Sequence, residues 1–395
     1  MSASLPSQEK MGLPIAIIVG MNAMIGASIF TIPAQLQMMV GPAGIITYLL
    51  VIVAVWFMAL ALARVSQRYP EAGSFYTYAY QWGGKVAGTV AVTSYLIGLT
   101  VALGLLTQFT GVYLQLYFPQ FSPELLGIIA LSALVALNMA GAVITKAGQI
   151  ILITCTVLPL LTIIFLCLTR ANLKHLIPFN PYGIKNIFAA SKIVIFGFFG
   201  FECAASLYGI VKDPERNVGR AITYAIIGTS ILYMLFVTSI FLALPSTFFA
   251  GAKEPLSAVL LKVFPDKSWL VTFIHASIAI TIMGTIYSMS WALGSLLQTT
   301  VQKISNNRAT LSSKQALTII GVLAAISCLT VKTVELFMSL TAVCVVIALS
   351  LSIIALYLPS KKQAKMDVFI ATIGLATAAI LLFFAIEGII ESVAR

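Results

Sequence analysis

The chain has 395 residues, of which 60% are hydrophobic and 9% charged, and its mean hydropathy is +1.04. Soluble domains carry roughly 25% charged residues, so this composition excludes a soluble protein and places the chain in a lipid bilayer. The formal net charge of +11 does not indicate nucleic-acid binding, because the basic residues lie between apolar runs and not on one basic face. An excess of Lys and Arg in short loops is typical of the signal that orients a membrane protein.

Eleven apolar segments follow one another along the chain. About 20 apolar residues cross the hydrocarbon core as a helix, so each segment is predicted to be a transmembrane span. The predicted spans are 12–40, 42–63, 86–118, 124–144, 147–169, 187–211, 219–245, 268–302, 316–331, 334–358 and 367–390. The gaps between them are short connectors, and a single membrane domain, 1–395, is therefore predicted.

The first segment contains residues that a lipid-facing helix does not need. Gly20, Asn22, Gly26 and Pro33 all lie within it, and as a continuous helix it would be about 44 Å long, more than the roughly 30 Å of hydrocarbon. This pattern predicts a helix that is broken inside the membrane. Close packing of helices through small residues is the alternative explanation for the glycines.

The sixth segment repeats the pattern, with Gly197, Gly200 and Gly209 around Glu202. A charged carboxylate at mid-span costs at least about 2.5 kcal/mol unless it is protonated or paired. Glycine-interrupted spans at corresponding places in two halves point to the binding site of a secondary transporter. A structural, hydrogen-bonded glutamate is the alternative for Glu202.

The sequence carries no signature of an enzyme or of an ATP-driven pump. The string nearest to a phosphate-binding loop, WGGKV, has Ala79 where the first glycine belongs. The five cysteines lie in apolar runs without a C-x-x-C pair and are interpreted as small buried hydrophobes. We therefore predict no catalytic residue, no metal and no cofactor, and secondary transport. A membrane nutrient sensor that does not transport is the alternative from another class.

Three strings carry a resemblance to a known family. MIGASIFTIPAQL resembles the glycine-rich first-span signature of the amino acid, polyamine and organocation (APC) transporter superfamily, with Ala27 and Ser28 in place of its usual Ser and Gly. YPEAGSFYTYAYQWGGKVAG resembles the family's segment between the second and third spans. FFGFECAASLYGIVKDPERNVGRA looks like the sixth span and following loop of the bacterial basic amino acid and polyamine antiporters, which include the arginine/agmatine exchanger.

The resemblance implies an all-α integral membrane protein with the LeuT-like fold. Its two inverted five-helix repeats would be 12–169 and 187–358, with 367–390 as an extra helix and with discontinuous first and sixth helices. It further implies a multi-pass protein of the cell inner (plasma) membrane, with a cytoplasmic amino terminus and a possible homodimer. The chain departs from the family in having one span, not two, after the tenth, and the loop VQKISNNRATLSSK lacks the usual D-G-x-x-P.

The resemblance also implies where a substrate binds. An α-carboxylate would meet backbone amides of the first break, and an α-ammonium would meet carbonyls of both breaks. The implied carboxylate-binding residues are Ile25, Gly26, Ala27 and Ser28, and the implied ammonium-binding residues are Ala23, Phe196, Gly197 and Phe199.

Side-chain roles are implied in the same way. Phe196 takes the place of the aromatic residue that covers the substrate in the antiporter, and Glu202 takes the place of its substrate-binding or proton-sensing acid. Tyr95 resembles a third-span tyrosine linked to gating and pH response. Trp291 is the implied aromatic residue of the eighth span, with Met289 as the alternative at that place. For Phe196 the alternative is an ordinary core aromatic residue.

Five charged residues follow the sixth span and are interpreted either as an ion-paired inner gate or as solvated loop charge. They are Lys212, Asp213, Glu215, Arg216 and Arg220. For the whole chain we predict an antiporter of basic amino acids and related amines that works by alternating access. A permease or exporter of neutral or aromatic amino acids is the alternative, since four phenylalanines surround the second break. The partners would be the small-molecule substrate and the lipid bilayer.

Overall fold

The computed structural model describes residues 11–26, 28–71, 74–140, 146–202, 205, 211–249, 256–266, 269–359 and 364–393. Within these ranges the chain folds almost entirely into α-helices. The helices are α1 (Leu13–Met24), α2 (Ser28–Met39), α3 (Gly44–Arg68), α4 (Ser74–Gln115), α5 (Pro123–Met139), α6 (Lys146–Leu168), α7 (Ile184–Ala189), α8 (Ser191–Phe196), α9 (Pro214–Ala243), α10 (Leu256–Val263), α11 (Trp269–Ile304), α12 (Ser313–Thr330), α13 (Val334–Ile353) and α14 (Ala364–Val393).

A helix lies in each of the eleven predicted spans. Among the described residues, eight helices are long and apolar enough to cross a membrane, and α1 and α2 form a ninth span bent by 47°. Helix α5, with 17 residues, occupies the fourth predicted span. The short helices α7 and α8 occupy the start of the sixth. The shortest prediction, 316–331, is confirmed as α12.

The start of the third span was predicted correctly to within two residues, at residue 86, but too little helix was predicted before it. Helix α4 begins at Ser74, and Gly84, with φ 61° and ψ −154°, divides it at a kink. Glycine adopts this backbone conformation because it has no Cβ. A separate helix rich in tyrosine thus precedes the third span; its polar and aromatic residues give little hydropathy signal. The second span was also predicted too short, since α3 continues to Arg68.

Helix contacts show that the fold contains two related halves. Helix α4 packs against α5 and α13, and α11 packs in the same way against α12 and α6. Likewise, α1 contacts α9 and α6, whereas α8 contacts α3 and α13. These pairs correspond if each span of the first repeat is exchanged with the span five places further on. The contacts therefore follow the twofold relation expected for two inverted five-helix repeats.

The last helix, α14, lies outside this pattern and packs against α3, α8 and α13. Two ion pairs fix its ends. Arg64 lies 3.9 Å from Asp367 near the start of α14, and Lys192 lies 3.1 Å from Glu391 near its end. We call the membrane side on which α1 begins the amino-terminal side. Since Met11 forms a parallel bridge with Val211, the chain reaches that side again directly after the sixth span.

Candidate functional site

The first break separates α1 from α2 at residues 25–27. Ile25 leaves the helix with φ −80° and ψ 85°. Its N–H donates to the Met21 carbonyl at 2.8 Å, and the Gly26 N–H donates to the Met24 carbonyl at 2.9 Å. Ala27 and the side chain of Ser28 lie outside the described residues. Because an α-helix leaves its first N–H groups without an intrahelical partner, the first turn of α2, from Ser28 onward, presents amides at this break.

These bonds change which predicted donors are available to an α-carboxylate. In this conformation the Ile25 and Gly26 amides already donate within the chain. The positive end of the helix dipole at the start of α2 favours a carboxylate. The geometry therefore shifts the expected carboxylate contact toward the amides of Ser28, Ile29 and Phe30.

The second break begins where α8 ends, at Phe196. Residues 197–202 form successive turns in place of a regular helix, with N–H groups of Gly197, Phe198 and Phe199 bonded to carbonyls three residues earlier. Gly200 has φ +117°, a conformation that residues with a Cβ rarely adopt. The sequence prediction of a broken sixth span is therefore confirmed. Gly209 and Cys203 lie outside the described residues.

The two breaks touch each other. A Cβ added to Gly200 would lie 2.5 Å from the Ala23 carbonyl carbon and 2.9 Å from the Met24 nitrogen, far closer than an ordinary contact. The glycine at this position thus lets the backbones of the two breaks approach directly. The predicted ammonium-binding carbonyls of Ala23 and Gly197 consequently belong to one continuous backbone surface.

Tyr233 on α9 joins the same two breaks and was not foreseen from the sequence. Its hydroxyl lies 3.0 Å from the Met24 carbonyl oxygen and 3.0 Å from the Gly197 carbonyl oxygen, so that one O–H serves both. The residue is fully buried. A tyrosine inside an apolar span was the only signal in the sequence, and it did not identify the partners.

Glu202 is fully buried beside the second break. The Gly200 N–H donates to its carboxylate, at 3.0 Å from Oε2 and 3.2 Å from Oε1, and the Tyr95 hydroxyl donates to Oε1 at 3.2 Å. Tyr95 stacks on Phe75 with ring centroids 4.1 Å apart. The structure thus brings together the two residues predicted for gating and pH sensing, and links them to the helix that precedes the Gly84 kink.

Helix α11 approaches the first break through hydroxyl groups. The Thr285 hydroxyl lies 3.4 Å from the Asn22 carbonyl oxygen, and Thr281 lies one turn earlier, 3.1 Å from the Thr156 hydroxyl of α6. Met289 is one turn after Thr285 and shares its face, because residues four apart lie above one another. Trp291 is six residues from Thr285, about 9 Å further along the axis, on another side of α11, and is only partly buried.

Apolar side chains also lie at the breaks, beside the polar groups of Tyr233, Thr285 and Glu202. Phe196 and Phe199 contact each other edge to face, with centroids 6.5 Å apart, and both are over 90% buried. On the other side, a Cβ on Gly26 would have Leu106 and Thr285 as its nearest neighbours, at 3.8 and 3.9 Å. Backbone groups and a hydrophobic surface therefore meet at one place, as in sites for small amphipathic molecules.

These features define a class of protein. Two inverted five-helix repeats, each beginning with a broken helix, form the fold of secondary transporters. A solved structure with this fold is that of Mhp1, a nucleobase-cation-symport-1 family transporter in a closed conformation with bromovinylhydantoin bound. It is 12% identical to this chain and superposes with a TM-score of 0.64. The superposition covers 98% of this chain and 95% of the Mhp1 chain.

The sequence then gives the particular family. The sequence profile of the amino acid permease family matches residues 12–393, and the chain belongs to this family. It is therefore a multi-pass membrane protein of this family, and the resemblance to the APC superfamily is confirmed at this level.

The individual relatives that the chain matches are distant. The branched-chain amino acid permease BcaP of Bacillus subtilis is 24% identical over 287 residues, which are 68% of this chain and 61% of the relative. An uncharacterized transporter of Mycobacterium tuberculosis is 25% identical over 71% of this chain and 63% of its own. The mitochondrial cationic amino acid transporter 3 of Arabidopsis thaliana is 24% identical over 58% of this chain and 41% of the relative. The chain thus spans about three fifths of the first two relatives.

Proposed function

We propose that the protein is a secondary active transporter of neutral amino acids with apolar side chains. The substrate backbone binds at the two breaks, its carboxylate at the start of α2 and its ammonium at the carbonyls of Ala23 and Gly197. Alternating access arises because both broken helices contact one another through Gly200 and can move as a unit. The family supports amino acid transport, and the opposed charges of the two breaks suit a zwitterion.

The observation that supports a neutral, apolar substrate is the environment of the Glu202 carboxylate. Its carboxylate is fully buried and accepts hydrogen bonds from Gly200 and Tyr95, so neighbouring groups would have to move before a cationic side chain could reach it. Phe196, Phe199 and Leu106 offer apolar surface at the breaks. Burial of a leucine-sized side chain against such a surface contributes about 1.5–3 kcal/mol.

Exchange of basic amino acids and related amines, the first prediction from the sequence, is the second candidate. It is favoured by the fact that a buried carboxylate lies within two residues of the contact between the breaks, where it could pair with a guanidinium or ammonium group. In that case Phe196 would stack on the cation. Antiport, the inner membrane, a cytoplasmic amino terminus and a homodimer are further proposals that rest on the resemblance.

The experiment is counterflow in proteoliposomes made with the purified chain. Vesicles loaded with unlabelled leucine, arginine or agmatine are diluted into labelled leucine or labelled arginine. Leucine uptake that requires internal leucine supports the proposal. Arginine uptake that requires internal arginine or agmatine moves the protein to the second candidate. If neither substrate flows while a ligand still raises the thermal stability, the protein is a sensor and the proposal is wrong.

A further inference from the structure

An open cavity of about 310 Å³ lies between α3 and α9 on the amino-terminal side, away from the broken helices. It is lined by two arginines, three other residues with polar groups and three apolar or small residues. The lining residues are Leu60, Ala63, Arg64, Gln67, Gly219, Arg220, Thr223 and Tyr224. Arg220 belongs to the charged cluster after the sixth span, for which an ion-paired inner gate and solvated loop charge were the two interpretations from the sequence.

The cavity is a consequence of how the two helices meet. A Cβ on Gly219 would lie 2.8 Å from the Gln67 side-chain nitrogen and 3.3 Å from the Ala63 carbonyl oxygen, so the backbones are close at this level. The Thr223 hydroxyl bonds to the Gly219 carbonyl at 2.9 Å. The longer side chains of Arg64 and Arg220 then form the two walls.

The charges facing the cavity favour an anion. Arg64 lies 3.9 Å from Asp367, but a guanidinium has five N–H donors and can bind a second anion as well. Arg220 is exposed, and among the described residues no ion pair joins it to the other four charged residues of the predicted gate. Both charged residues that line the cavity in the described part of the chain, Arg64 and Arg220, are basic.

The position of the cavity matches the headgroup region of a bilayer. Helix α9 has 30 residues and is about 45 Å long, which exceeds the roughly 30 Å of hydrocarbon. Arg220 lies about two turns from the start of α9, and Tyr224 one turn further in. Tyr224 is 48% exposed, as is typical of tyrosines at the interface between headgroups and hydrocarbon.

We propose that this cavity binds the phosphodiester headgroup of an anionic phospholipid. Arg64 and Arg220 would hold the phosphate oxygens from two sides, because the planar guanidinium suits bidentate phosphate binding. Gln67 adds an amide donor. The exposed ring of Tyr224 and the side chain of Leu60 lie where the glycerol and upper acyl chain would pass. A free phosphate has the same charge chemistry but would gain nothing from this apolar edge.

The experiment measures lipid binding to the full-length protein in neutral detergent by native mass spectrometry. The probes are dioleoyl phosphatidylglycerol, dioleoyl phosphatidylcholine and inorganic phosphate. Wild type is compared with Arg64→Gln, Arg220→Gln and the double variant. Arg308→Gln is the matched control, because Arg308 is an exposed arginine on the same membrane side, outside the cavity. Thermal stability in phosphatidylcholine shows that each variant is folded.

We expect phosphatidylglycerol to bind more tightly than phosphatidylcholine. Each cavity variant should weaken the binding about five-fold, the effect of ~1 kcal/mol per basic residue near a membrane surface, and Arg308→Gln should leave it unchanged. Three results would overturn the proposal: equal binding of both lipids, equal weakening by Arg308→Gln, or competition by inorganic phosphate at the concentration of the lipid. The last result would show a site for a soluble anion.

Discussion

Gly200→Ala tests whether the contact between the two breaks is required for transport. The added methyl group would lie 2.5 Å from the Ala23 carbonyl carbon, whereas carbon atoms in contact are usually about 3.5–4.0 Å apart. The neighbouring atoms are backbone, which cannot rotate away. The two breaks must therefore separate by roughly 1 Å, and such a displacement is large for a site that binds a small molecule.

Two costs add up in this variant. A residue with a Cβ at φ +117° is strained by about 1–3 kcal/mol, and overpacking against a rigid neighbour costs about 1–3 kcal/mol. We expect the free energy of unfolding to fall by about 2–6 kcal/mol. Initial counterflow rates should fall at least ten-fold, because the amides and carbonyls of the two breaks no longer face one substrate.

Gly183→Ala separates the two costs. Gly183 has φ +83°, and a Cβ there would meet no atom within 4 Å, so this variant has the strain without the overlap. It should lose only about 1–3 kcal/mol and should transport normally. Both variants are measured by unfolding in mixed micelles and by counterflow of the substrate identified in the proteoliposome assay. Wild-type transport by Gly200→Ala would refute the direct contact of the breaks.

Three further substitutions test individual side chains. Tyr233→Phe leaves two buried carbonyls without their shared donor, so it should lower the free energy of unfolding by about 1–2 kcal/mol and slow transport. Tyr48→Phe is the control, since that buried hydroxyl has no hydrogen-bond partner among the described residues. Equal losses of stability in the two variants would contradict the bridging role of Tyr233. Glu202→Gln keeps an oxygen that can accept the hydrogen bond from Gly200, so leucine counterflow should stay within about three-fold of wild type. Arginine counterflow, if it occurs, should be lost. Complete loss of leucine counterflow would show that the carboxylate itself is required. Met289→Ala should raise the apparent KM for substrate by about ten-fold, or ~1.4 kcal/mol, and Trp291→Ala should not, so the reverse order would place Trp291 at the site.

The order of the spans follows from local properties of the sequence. Hydropathy alone located a helix in every predicted segment, because about 20 apolar residues form a membrane helix regardless of their neighbours. The breaks could be located from local sequence as well. Gly26 and Gly200 permit a non-helical backbone. The backbone N–H and C=O groups that such a break exposes must lie inside the protein and away from lipid. The helix before Gly84 escaped prediction because its tyrosines and polar residues resemble a loop.

The chemistry of the site depended on contacts that no local pattern encodes. Tyr233 is 36 residues or more from the carbonyls that it joins, and its role depends on how α9 is rotated against α1 and α8. The rotation of α11 likewise decides that the face with Thr285 and Met289, and not the side with Trp291, meets the first break. The partners of Glu202 depend on the close approach of two backbones at Gly200. The sequence by itself determined that the chain spans a membrane, and where two of its helices are broken. Only the tertiary structure decided which atoms the breaks present to each other, because helix rotation and packing arise from the whole set of side-chain contacts.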